Sequence, residues 1–103
     1  MENNIVKLST DILEEYRKLE INLCQVLNGA MTPSSNIKRL INAMKNDKQY
    51  QKWSTKLDKC RQVRNKLAYD YCTTPSILEL QECLEVLVEF NKLDLSSIIL
   101  NIG

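Results

Sequence analysis

Apolar residues recur at steps of three and four from Ile5 through Leu8, Ile12, Tyr16, Leu19 and Leu23 to Val26, with polar and charged residues between them. That spacing marks one face of an α-helix and predicts a first helix from about Asn4 to Asn28. Asn28-Gly29 supplies a left-handed stop, and Pro33 opposes resumption. A second, shorter helix follows, capped by Ser34 or Ser35, with Ile37, Leu40, Ile41 and Met44 on its apolar side. Asn46-Asp47 predicts a break, but no Gly or Pro enforces it, so the second and third helices are either separate or one kinked rod.

The third helix begins near Lys48, and its stripe runs Tyr50, Trp53, Leu57, Cys60, Arg64, Leu67 and Tyr71. At 100° per residue Arg64 falls near the centre of this stripe, where a lone guanidinium is costly unless it is paired or open to a cleft. A fourth helix starts either at Thr74-Pro75, as N-cap and first helical proline, or one to two residues later on a Ser76–Glu79 capping box. Its apolar positions Ile77, Leu80, Leu84, Leu87 and Val88 are joined by Cys83, Val86, Phe90 and Leu93, so two adjacent faces are apolar. This helix is expected to be the most buried, or to offer Val86, Phe90 and Leu93 to a partner. The tail from Leu95 to Ile102 is apolar and uncharged, fitting a last helical turn or two on the bundle or an extended segment reaching a partner.

Two Gly and two Pro among 103 residues suit helices with short connections, so the expected class is all-α, an antiparallel four-helix bundle with a short C-terminal apolar tail. The length suits one domain over residues 1–103, able to bury roughly 60–70% of its unfolded surface without staples. Cys24, Cys60, Cys72 and Cys83 are widely spaced, with no Cys-x-x-Cys pair and no histidine, so buried free thiols are expected, with no metal and no cofactor. Met1-Glu2-Asn3-Asn4 lacks the features of a secretory signal, and no apolar run approaches the ~20 residues of a membrane span, which points to a cytoplasmic protein without a membrane partner.

Net charge is +1, but the charges are segregated. From Lys45 to Lys66 eight basic residues face two acidic ones, whereas from Ile77 onward five acidic residues face Lys92 alone. Lys52, Lys56, Lys59 and Lys66 form a ridge beside the stripe of the third helix, and with Arg64 they are candidates for RNA or phosphate contact. The plainer alternative is a solvated face, or attraction to the acidic fourth helix.

The chain has no histidine, no Gly-rich phosphate loop, no nucleophile elbow and no isolated carboxylate pair. What remains is Arg64-Asn65-Lys66-Leu67-Ala68-Tyr69-Asp70-Tyr71 at the end of the third helix. This stretch resembles the signature of HEPN domains (higher eukaryotes and prokaryotes nucleotide-binding), helical bundles in which an arginine, often followed by asparagine, precedes a histidine by four to six residues. Arg64 and Asn65 match the first two positions, Ala68 the small residue before the histidine, and Tyr71 a later tyrosine of the toxin subgroup. Tyr69 stands where the histidine should be.

The resemblance implies a homodimer whose arginines line a cleft at the interface, in a family that includes metal-independent ribonucleases of toxin–antitoxin and abortive-infection systems and non-nuclease, mannitol-operon-repressor-like bundles. In the nucleases the histidine assists proton transfer from the RNA 2′-hydroxyl while the arginine stabilises developing charge. A tyrosine of pKa near 10 is only about one part in a thousand ionised at pH 7, roughly 4 kcal/mol worse as a base. The candidate site residues are Arg64, Asn65, Tyr69 and Tyr71, and the expected role is binding of protein or RNA in a defence, toxin–antitoxin or counter-defence setting without nuclease activity. An active metal-independent ribonuclease toxin is one alternative, and a plain helical adaptor or transcription-regulator-like bundle is the other. In the adaptor, Arg64 pairs with a glutamate of the fourth helix.

Overall fold

The computed structural model describes residues 2–27, 33–69 and 74–102. Among them lie α1 (Glu2–Val26), α2 (Pro33–Lys45), α3 (Gln51–Tyr69), α4 (Ile77–Asn91) and α5 (Leu95–Ile102), with no strand. On α1, Ile12, Tyr16, Leu19 and Leu23 are buried, and Ile5 and Leu8 pack against the same core. The periodicity therefore predicts both the helix and its inward face. The Asn28-Gly29 stop lies outside the described residues.

Pro33 opens α2 instead of merely preceding it. The first helical position suits proline, because its missing N–H has no intrahelical partner to lose and its φ is already helical. Ile37, Leu40, Ile41 and Met44 form the buried side. A turn then separates α2 from α3, so the two are not one rod. Asp47 builds the turn: its N–H donates to Met44 O (3.1 Å), its carbonyl accepts from Tyr50 N–H (3.1 Å) and its Oδ1 accepts from Gln49 N–H (2.8 Å). An aspartate that bonds the backbone two residues on replaces the Gly or Pro that the sequence lacks there. In consequence α3 starts at Gln51, a little after Lys48.

Ser54 and Trp53 fix α3 against its neighbours. Ser54 is buried and donates through Oγ to Ile41 O of α2 at 2.9 Å, while Trp53 meets Phe90 of α4 edge to face at 5.3 Å between centroids. Ser76 is the N-cap of α4: at φ −69°, ψ 159° its Oγ accepts from Glu79 N–H at 3.2 Å and its hydroxyl lies 3.3 Å from Glu79 Oε1. The Ser76 alternative is thus the one adopted, and Pro75 stays outside the helix.

α1 packs on α2 and α4, and α3 packs on the same two, closing a ring of helices around the core. Ile12, Leu19, Leu23, Leu57, Leu80, Leu87 and Phe90 fill its centre, each contributing about 1.5–3 kcal/mol when fully buried. The C-terminal stretch is a helix on the bundle. Asp94 caps α5 by accepting from Ser96 N–H (3.1 Å) and the Ser97 hydroxyl (2.8 Å), Ile98 is buried, and Asn101 Nδ2 donates to Tyr50 Oη at 3.2 Å. Both α1 and α2 contact α5.

α4 is covered by α1 and α3, and its outer side is open. Leu78 is 63% and Leu93 40% exposed, and Val86 is half-buried. Phe90 is 2% exposed and belongs to the core, because its ring fills the space beside Trp53. Of the three residues expected to meet a partner, only Val86 and Leu93 keep accessible surface.

Candidate functional site

The last turns of α3 carry Arg64, Asn65 and Tyr69. Buried Cys60 and Val63 precede Arg64, which is itself half-buried, at the point where the core stripe approaches the surface. Its guanidinium lies 5.2 Å from the centroid of the Tyr16 ring on α1 and 5.2 Å from that of Tyr69. Nη1 is also 3.4 Å from both Asn65 Oδ1 and Tyr69 Oη. The cation is thus held between two aromatic faces, each able to offset about 0.5–2 kcal/mol of its desolvation. No carboxylate among the described residues comes within 4.0 Å of it. The glutamate of α4 that would make this a structural ion pair is not in contact.

Tyr16 supplies the buried wall of this site at 4% exposure. Burial pushes its hydroxyl up to about 12 and the Glu20 carboxylate adds to the rise, while the Arg64 and Arg61 guanidinium groups oppose it. Glu20, one turn along α1, is itself 7% exposed, with Arg17 Nη1 at 3.8 Å. Arg61 is tethered to Asp58 at 3.0 Å through Nη2. The site is therefore built between α1 and α3 from Tyr16, Glu20, Arg61, Arg64, Asn65 and Tyr69. Nothing in the sequence marks Tyr16 or Glu20 for this site: Tyr16 sits on the core stripe of α1, and nothing local shows which part of α3 it will meet. Tyr69 is 69% exposed, and Tyr71 lies outside the described residues.

The basic candidates divide between two places. Arg64 belongs with Tyr16, whereas Lys56, Lys59 and Lys66 line a groove of about 490 Å³ between α3 and α4, opposite Glu79, Glu82 and Glu85. Lys56 Nζ also stands 5.2 Å from the Trp53 ring, and Lys52 is exposed outside the groove. The basic ridge and the acidic row thus face one another across a shared depression. Its floor includes Cys60, whose thiol donates to Cys83 O at 3.6 Å. Its neighbour Cys83 and burial both push the Cys60 thiol up, which keeps it protonated and unreactive.

A second polar contact, not anticipated from the sequence, joins α1 to α4. Asn91 Nδ2 donates to both Glu15 O and Glu15 Oε2 at 2.9 Å, and with Lys18 it holds the Glu15 carboxyl below the usual carboxylate range. Among the described residues no cluster of three metal-ligating side chains occurs, and no helix is long and apolar enough to cross a membrane. Comparison with protein-family models, with curated proteins and with solved structures returns no match.

Proposed function

We propose that the chain is a HEPN-like helical module that acts by binding a protein, without nuclease activity, in a defence, toxin–antitoxin or counter-defence setting. The observation that carries this reading is the engagement of Arg64 with Tyr69, guanidinium to ring at 5.2 Å and Nη1 to Oη at 3.4 Å. The group in the histidine's position is a phenol that accepts from the arginine with which it would have to cooperate, and the chain has no histidine to replace it. The proton-transfer role therefore has no imidazole to fill it, while an arginine packed against two rings still offers a recognition surface. Tyr69, exposed beside it, is available to a second copy across the two-fold axis that the resemblance implies.

Protein is favoured over RNA as the partner because of the groove. Three of the five basic residues considered for phosphate contact stand opposite three glutamates, which repel a polyanion tracking along the ridge. The setting itself rests on family analogy. The test is incubation of purified protein with single-stranded and structured RNA, with Arg64→Ala and Tyr69→His in parallel. Intact RNA with the wild-type protein is expected. Cleavage by the wild type that disappears in Arg64→Ala overturns the reading in favour of a ribonuclease.

A further inference from the structure

We propose that the groove between α3 and α4 is the docking site for an amphipathic helix of another protein, with acidic residues along one edge and basic residues along the other. This rests on the reading that the chain acts by binding a protein, and it names the surface and the chemistry of that partner. The α3 wall carries Lys56, Lys59 and Lys66, and the α4 wall carries Glu79, Glu82 and Glu85. Among the described residues no lysine of one wall comes within 4.0 Å of a glutamate of the other. The two rows therefore leave their charges directed at whatever lies between them.

The floor is largely apolar: Cys60, Val63 and Cys83 lie buried beneath it, half-buried Val86 gives it accessible apolar surface on the α4 side, and Gln62 is its polar member. An apolar floor with polar walls is the pattern that receives the apolar stripe of a helix. The groove has a volume of about 490 Å³. A concave surface calls for a convex occupant, and this favours a single helix over a second copy of the chain, whose own groove would leave a gap face to face. Exposed ion pairs add little affinity each, but opposed walls select strongly. A helix with two acidic edges is repelled by the glutamates, one with two basic edges by the lysines, and a mixed helix fits in only one direction.

The experiment uses the whole chain and three fluorescein-labelled, hydrocarbon-stapled peptides of about four helical turns. All share one leucine stripe; their edges are mixed, all-Glu or all-Lys, and binding is read by fluorescence anisotropy. The mixed peptide is expected to bind at least about tenfold more tightly than either other, and Val86→Arg to abolish binding while circular dichroism shows a folded chain. Lys59→Glu is a second probe, expected to shift preference toward the all-Lys peptide. Failure of the mixed peptide to bind, equal binding of all three, or self-association of the wild type that Val86→Arg abolishes overturns the proposal. RNA cleavage lost in Arg64→Ala overturns the underlying binding reading instead, whatever the peptides do.

Discussion

The Arg64 guanidinium packs 5.2 Å from the centroid of the Tyr16 ring and so joins α3 to α1 through a charge on a buried aromatic face. The expected consequence is a coupling of about 1 kcal/mol between the two side chains. A double-mutant cycle in urea, with Arg64→Met to keep the aliphatic stem and Tyr16→Leu to remove the ring, measures it. Additive losses would mean that the guanidinium is merely parked beside the ring.

Tyr16 also sets an alkaline limit. A phenol whose folded-state value is raised favours the protonated form in the fold, so its contribution is complete below the ordinary value near 10. It is lost as pH rises through about 12. At 4% exposure the shift corresponds to roughly 2–3 kcal/mol. Denaturation of wild type and Tyr16→Phe at pH 9 and pH 11.5 should show the wild type losing more stability over that interval. Parallel losses would rule out Tyr16 as the source.

The helical class and most inward faces were legible because the period of three and four records which side of each helix meets the others. Ile12, Leu19 and Leu23 on α1 and Ile37 and Met44 on α2 follow it directly. Arg64 was legible as an anomaly for the same reason, yet its solution was not, since Tyr16 lies 48 positions earlier and only the α1–α3 packing brings the two together. The hydrogen bond from Ser54 to Ile41 O and the Asp47 turn were hidden for related reasons. A small polar residue on a stripe gives no hint of which distant carbonyl it will satisfy, and a turn made by one side chain lacks the Gly or Pro that advertises most turns. The apolar tail leaves helix and extended segment both open in the sequence, because an aspartate just before it reads equally as a surface charge and as the cap that Asp94 is. The two charged rows could be read singly; that they share one groove is a tertiary fact.

The contact between Asn91 and Glu15 makes the acid limb of stability specific. The Asn91 amide, ahead of Lys18, holds the Glu15 carboxyl below its ordinary range. A depressed carboxylate contributes fully above the unfolded-state value near 4.3, and that contribution fades as pH falls through the lower folded value. Asn91→Leu removes the donor at similar volume while leaving Lys18 2.9 Å from Glu15 Oε1. The variant is expected to be less stable than wild type at pH 7 and to lose less between pH 5 and pH 3, so that the two unfolding midpoints converge in acid. A constant difference at every pH would assign the loss to the bond from Asn91 to the Glu15 carbonyl, which does not titrate, and would remove the Glu15 carboxylate from the account of acid stability.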